Sequence, residues 1–573
     1  MEGERVAGVV PETVRPLTTD ELIARAMQTA APANPIERIL RRRGLPSFAP
    51  SAAAAPAVAA ALAPAPRAPV PEKVSCHFRA EMEEEVELAK VASIEVTISR
   101  ESIARAVGAA SADRNAIVDA SRKLIVQLVP KTNFDAVGDT RLELDVPAAG
   151  EPTQFYFDVQ PTNEGEGEIW IVIRQGQVPL VNLILRPRIV AARAGVSRRI
   201  NAPATTPEAP PLAEPLHQLR IFERRRGDEI FYQYIFDSPA LNLNSIYESA
   251  PLPGDRNSYV DQLYKEIEDR WIGSGADAVA FNEDLRGFGG DLWDQLFPAE
   301  LQAELWQHRD QIRSIMVFSE EPFIPWELVH MKEPRKGLGP DSLFLAQKGV
   351  VRWLHNYGWP PQKLALRAGR CRYVIPDYPH PDYHLPEALE EAEFLEKKFR
   401  ATPVEPQVNP VRAILSEGGA FDLLHFAGHG VAEHENIANA QLMLQGRVEG
   451  GNYLPAYLSA TTVGQFARLE HNDGTRPIVV LNACQAGRAG YKLSGIGGFA
   501  RAFLTGKAGV FVGALWSVGD APARTFTEKL YERLLAGDRL AEATISAREA
   551  ARAANEATWL AYVVYGHPHA TLA

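Results

Sequence analysis

Cysteine is scarce: the 573-residue chain has three, Cys76, Cys371 and Cys484. An odd, scattered set excludes a disulfide framework, and no two lie close enough for a zinc knuckle. A reducing, cytoplasmic setting is expected, in which a lone thiol stays available as a nucleophile. Basic excess is missing too. A formal net charge of −12 argues against a general nucleic-acid binder, whose footprint is basic, and mildly favours basic partners or substrates. Long apolar runs are absent. The stretch around 52–65 is alanine broken by proline, and the acidic start MEGERVAGVVPE has no apolar core. Neither a membrane span nor a signal peptide is expected. No repeat of fixed period is evident. What remains, 46% hydrophobic and 23% charged residues, belongs to a soluble globular protein long enough for two or three domains.

Composition divides the chain. Residues 1–45 read as a flexible head with short helices, TTDELIARAMQTA having an N-cap threonine and helical apolar spacing. Residues 46–72 read as a linker, since 46–71 hold 12 Ala and 7 Pro in 26 positions, too little apolar surface to offset chain entropy. From 73 to 190 come seven candidate strands: VSCHFRAEM, ASIEVTIS, KLIVQLVP, RLELDV, TQFYFDVQ, EIWIVIRQG and VPLVNLILRP. Several alternate apolar and polar residues, which suits a β-sandwich with one wet face. No catalytic side chains cluster there, Cys76 and His77 read as strand residues, and an interaction or spacer role is expected.

A second Pro/Ala-rich linker spans 191–215. Beyond it the pattern is mixed α/β, 216–370 as a first half and 371–573 as a second. In the second half CRYVIPDY, FDLLHFAG, RPIVVLNA and GVFVGALWS read as strands alternating with helices, the pattern of a parallel sheet wrapped by helices.

In an open parallel sheet, ligands sit beyond the carboxyl ends of the strands. Two such ends carry reactive residues: FDLLHFAGHG delivers His429 and RPIVVLNACQAG delivers Cys484. A cysteine needs a base beside it to form a thiolate at neutral pH, and imidazole is the usual supplier. The small residues Ala427, Gly428, Gly430, Ala483, Ala486 and Gly487 leave room for a substrate backbone. The N–H groups of Gly430 and Cys484 are candidate oxyanion donors. His425 reads as a buried, hydrogen-bonded strand residue. A strand separates it from His429 by roughly 13 Å, so the pair does not suit zinc. GIGGFA (495–500) fails the dinucleotide spacing. No metal and no cofactor is expected. Asp422 and Cys371 read as structural.

The set LLHFAGHG, VVLNACQAG, GVFVGALWSVGD and PFIPWELV resembles the CHAT peptidases, caspase-like cysteine proteases related in fold to caspases and separases. The resemblance covers about 217–573 and implies a caspase-like α/β fold behind the β-sandwich, its first half degenerate. Carried over by position, His429 is the general base or acid, Cys484 the nucleophile and Gly430 an oxyanion donor. Asn482-Ala483-Cys484-Gln485 departs from the caspase signature, with Asn for Gln and Ala486 for Gly. In separases a comparable Leu-Trp…Asp stretch helps form a pocket for a basic P1 side chain, which implies substrate-binding roles for Trp516, Ser517 and Asp520. Read from the residues alone, Asp520 is equally an N-cap, with Pro522 in the first turn behind it.

The function implied is a cysteine endopeptidase that performs limited proteolysis of a protein partner, with stress or antiphage response as the family's setting. An activating or regulatory protein would engage the β-sandwich or the head. A different reading is a non-catalytic caspase-like scaffold that assembles protein partners; occupation of both catalytic positions speaks against it.

Overall fold

The strands at 124–132 and 168–175 are apolar nearly throughout, and a strand of that composition needs cover on both faces. In the computed structural model of the chain they have it. The structure describes residues 72–103, 114–192, 199–201, 204–205, 215–252, 262–267, 278–320, 324–379, 381–433, 436–449, 452–483, 491–492, 495–496, 498–516, 518–553 and 558–573. The expected head and first linker lie outside them, save for residue 72.

One face of the N-terminal module is a sheet built on Lys73–Glu83, Ala92–Ser99 and Thr153–Pro161; the other is built on Leu124–Thr132, Glu168–Gln175 and Val178–Leu185. All seven expected strands are present, and a closed core lies between the sheets, with Phe78, Ile94, Leu128 and Ile171 buried. The second linker is partly strand: Arg199–Asn201 pairs with Lys73–Glu83, and Ala204–Thr205 pairs with Val178–Leu185.

The mixed α/β half contributes β1 (Gln218–Arg226), β2 (Glu229–Ser238), β3 (Ile315–Ser319), β4 (Val350–Leu354), β5 (Cys371–Val374), α1 (Pro386–Phe399), β6 (Leu423–Gly428), β7 (Ile478–Ala483), β8 (Val510–Ala514), α2 (Asp520–Leu535), α3 (Leu540–Ala553) and β9 (Tyr562–Tyr565). Across the sheet the order is β1-β3-β4-β9-β8-β7-β6-β5. Two parallel blocks, β1-β3-β4-β9 and β8-β7-β6-β5, meet at the antiparallel β9–β8 pair. The last strand, β9, is not among the strands read from the sequence; it is short and apolar throughout, with no period to mark it. Between β6 and β7 lie the strands Asn436–Glu449 and Asn452–Ser459 and the helix Ala460–Phe466.

The β-sandwich is not a detached spacer. Its second sheet continues into the α/β sheet, Leu124–Thr132 running parallel to β1 at the Thr132–Arg225 pair. The seam is buried and polar at its rim. Arg224 donates to the carbonyls of Pro130 at 2.7 Å and Phe134 at 2.8 Å, and Arg174 meets Asp237 at 3.1 Å. Val129, Trp170, Val172, Phe222 and Ile235 close a small apolar cluster between the modules.

Candidate active site

β6 and β7 are in register to their last residues, with Ala427 opposite Asn482 and Gly428 opposite Ala483. His429 therefore follows the end of one strand and Cys484 the end of its neighbour. Cys484 itself lies outside the described residues, as does Ser517.

The loop between β5 and α1 wraps His429. Its imidazole Nε2 lies 3.0 Å from the Tyr383 carbonyl oxygen. A carbonyl only accepts, so Nε2 carries the proton and Nδ1 keeps its lone pair. The rings of Tyr378 and Tyr383 pack at 5.0 Å and 5.7 Å from the imidazole. Burial lowers the His429 pKa below its ordinary 6.5, against the opposing pull of the Tyr383 carbonyl. The imidazole is thus held neutral, in one tautomer, with one nitrogen available as a base.

Tyr378 has a second function in the frame. Met443 N–H donates to the His429 carbonyl at 2.9 Å, as a β-ladder requires. The reciprocal bond is made through a phenol: His429 N–H donates to Tyr378 Oη at 3.0 Å, and Tyr378 Oη donates to the Met443 carbonyl at 2.9 Å. A Cβ at residue 428 would meet Tyr378 Oη at 2.8 Å, so glycine there admits the hydroxyl. Gly430 stands opposite Leu442 in the next ladder position. The alternation of antiparallel bonding turns its N–H away from that strand.

Asp520 opens α2, and its Oδ2 accepts the N–H of Glu387 at 3.2 Å. Helix α1 begins at Pro386 with no side-chain cap of its own, so Asp520 caps it from another helix. Burial pushes the Asp520 carboxyl up to about 6; the Glu387 N–H opposes this, and the charges of Glu387 and Glu391 add to it. Residues 383–387 thus touch His429 at one end and Asp520 at the other. Trp516 requires a correction: its side chain is fully buried, 6.4 Å from the Tyr264 ring, and offers no surface to a substrate. A tryptophan this apolar, flanked by core residues, packs inward.

His425 is enclosed within β6, its Nδ1 2.8 Å from Tyr531 Oη. Asp422 accepts from Arg367 N, Nε and Nη2 at 2.9, 2.7 and 2.7 Å and pins the start of β6. Among the described residues no three His, Cys, Asp or Glu side chains gather as metal ligands would. No helix among them is long and apolar enough to cross a membrane. Sequence reasoning missed Tyr378 and Tyr383. A main-chain carbonyl acceptor leaves no residue-type signal, and both tyrosines sit in a Pro-rich loop without periodicity.

Taken together, the chain is a multidomain protein: a β-rich N-terminal region joined to an α/β domain with helices about a largely parallel sheet. Residues 287–567 match the CHAT domain, and residues 80–185 match the domain of unknown function DUF7363. The matched CHAT span starts later than the 217 suggested by motifs alone. No curated protein matches the chain. Among solved structures, separase in the Saccharomyces cerevisiae separase–securin complex aligns at 11% identity over 62% of this chain and 30% of its own, with a TM-score of 0.39. A structure described as that of a protease aligns at 9% identity over 47% of this chain and 68% of its own, with a TM-score of 0.32. The chain thus spans less than a third of the separase it is set against, and at these scores the likeness carries no argument about activity.

Proposed function

We propose that the protein is a cysteine endopeptidase that cuts a protein partner at limited sites through Cys484 and His429. The observation that supports this reading is the Gly428–Ala483 register pair, which ends the two strands side by side one residue before His429 and Cys484 in the sequence. The fixed tautomer of His429 supports it, since Nδ1 is the nitrogen left to take a proton.

In the proposed cycle the Cys484 thiol gives its proton to His429 Nδ1, and the thiolate attacks the scissile carbonyl carbon. The N–H groups of Gly430 and Cys484 receive the oxyanion. The imidazolium returns the proton to the leaving amine as the C–N bond breaks, and a thioester remains on Cys484. His429 then takes a proton from water, whose oxygen attacks the thioester and releases the acid and the thiol. The Tyr383 carbonyl, on the far nitrogen, supports the positive charge that forms in between.

Asp520 is the proposed selector of an Arg or Lys P1 side chain, through a charge-assisted contact. A regulatory protein acting on the β-sandwich or the N-terminal head is the proposed means of activation, and a bacterial stress or antiphage pathway the proposed setting. The test compares the intact protein with its Cys484→Ala variant on candidate protein partners. Discrete fragments made by the first and not the second are expected; identical behaviour, with Cys484 inert to a thiol-directed probe, removes the peptidase reading.

A further inference from the structure

Beneath the two strand ends, five polar side chains from five elements form one enclosed chain. Tyr562 Oη of β9 donates to Asn482 Oδ1 at 2.5 Å, and Asn482 Nδ2 of β7 donates to Glu391 Oε1 at 2.5 Å. The other oxygen, Glu391 Oε2 of α1, lies 2.6 Å from His425 Nε2 of β6, a close polar contact without hydrogen-bond alignment. His425 Nδ1 lies 2.8 Å from Tyr531 Oη of α2. All five side chains are buried, Asn482 the least so at 8% exposed.

Nothing in the proposed cycle uses these groups. Stability alone does not call for them, because apolar side chains of similar volume fill such a space as well or better. Their arrangement is informative. His425 is the register partner of Val480 and Ala427 that of Asn482, so with the alternation of strand side chains His425 and Asn482 share one sheet face. Glu391 lies over that face, on the buried stripe of α1 with Ala388, Leu395 and Phe399. One of its oxygens holds β7 two residues before Cys484. The other contacts β6 four residues before His429. Both faces of the Asn482 amide are engaged, by Glu391 and by Tyr562, so its side chain is spoken for within the core.

We propose that Glu391 is a positioning residue: a single carboxylate, split between His425 and Asn482, fixes the separation of the strand ends that present His429 and Cys484. The catalytic consequence rests on the Cys484–His429 reading; the tie between the strands does not. A rigid tie of this kind matters because displacing reacting groups by about 1 Å costs on the order of 100-fold in rate.

The test uses the full chain and two variants. Glu391→Gln keeps the volume and an acceptor for Asn482 but presents an amide to His425. Tyr562→Phe removes one hydroxyl and leaves the ring stacked on Phe526 at 3.9 Å. Four quantities are read: the melting midpoint, kcat, KM and the pH profile of Cys484 alkylation by iodoacetamide, the last of which needs no substrate. For Glu391→Gln the expectation is near-native melting, kcat down about tenfold with KM little changed. The alkylation midpoint should move up by about half a pH unit, as the thiolate loses its imidazole. Tyr562→Phe should move the same quantities in the same direction, by less. A folded Glu391→Gln protein with wild-type kcat and alkylation profile overturns the proposal. If Glu391→Gln does not fold, Tyr562→Phe decides, and an unshifted profile there overturns it equally. Should the wild type cleave nothing while Cys484 alkylation still responds to Glu391, the peptidase reading fails and the tie stands.

Discussion

Gly428 and Ala483 are register partners at the ends of two adjacent parallel strands, and the next residues on those strands are His429 and Cys484. Parallel neighbours lie about 4.8 Å apart. A separation of 55 residues in sequence is thereby closed, at Gly428 and Ala483, to the spacing of neighbouring strands.

Selective reactivity of Cys484 follows from the state of the other thiols. Cys76 and Cys371 are buried, and burial pushes their pKa up to about 11 and about 12. At pH 7 each is thiolate to about one part in 10,000 or less, and alkylation proceeds through the thiolate. Brief iodoacetamide treatment of the native chain should therefore modify one cysteine, Cys484, and treatment in denaturant all three. Peptide mass mapping reads the result; native modification at Cys371 as fast as at Cys484 would contradict it.

Removing one hydroxyl should disturb the base. Tyr378→Phe leaves the His429 N–H and the Met443 carbonyl without the phenol that joins them. An unmade buried hydrogen bond costs about 1–3 kcal/mol. The variant should melt a few degrees lower and lose about tenfold in kcat with KM nearly unchanged, the mark of an interaction that serves the transition state. Equal kcat in the two proteins would reduce Tyr378 to packing.

The pH dependence has a defined sign. Burial lowers the His429 pKa below 6.5, so the imidazole stays neutral further into acid than a free one. The acid limb of kcat/KM should fall below pH 6.5. Stability obeys the same inequality: below pH 6.5 the unfolded chain takes up this proton more readily than the folded one, so His429 contributes a loss of stability as pH drops through that window. A limb centred above 6.5 would show that His429 is not the titrating group.

These features were legible in the sequence to different degrees. Apolar runs closed by small residues disclosed β6, β7 and their reactive ends, because a buried parallel strand has to be apolar and a site needs space. Seven strands of the β-sandwich were legible from runs bounded by turn residues. Edge-to-edge fusion of the two sheets was not, since one residue pair, Thr132–Arg225, carries it and pairing partners leave no local pattern. Trp516 misled because its place in a motif says nothing of which way the ring packs. Glu391 was legible in principle, as a carboxylate on the Ala388–Leu395–Phe399 stripe of an amphipathic helix.

The PWEL element has a buried counterpart that fixes its glutamate. Glu327 accepts from Arg352 Nε at 2.9 Å and also from its Nη2, and Arg548 of α3 lies 3.8 Å away. All three side chains are buried. Glu327→Ala strands two guanidinium groups without their carboxylate, a change that costs about 3–5 kcal/mol. A large drop in the urea midpoint is expected, and a midpoint within experimental error of wild type would refute the account.

Asp520 separates two roles in one substitution. With its folded pKa raised to about 6 from 3.8, the native state holds this proton more tightly than the unfolded chain does. The resulting stabilisation is present below pH 3.8 and is lost as pH rises through 6. At pH 7.5 the ionised carboxylate is therefore a burden of about 1–3 kcal/mol. Asp520→Asn keeps an oxygen for the Glu387 N–H while removing the charge, so it should raise the melting midpoint at pH 7.5 and leave it unchanged near pH 4. Raised carboxyl pKa values concentrate at functional sites, and the proposed use of this one is to receive a basic P1 side chain. The same variant, given a peptide library, should lose its preference for Arg and Lys by about tenfold or more. Stabilisation with an unchanged P1 preference would leave Asp520 as the cap of α1 alone; stabilisation with that preference lost would place the helix cap and the specificity pocket on one carboxylate.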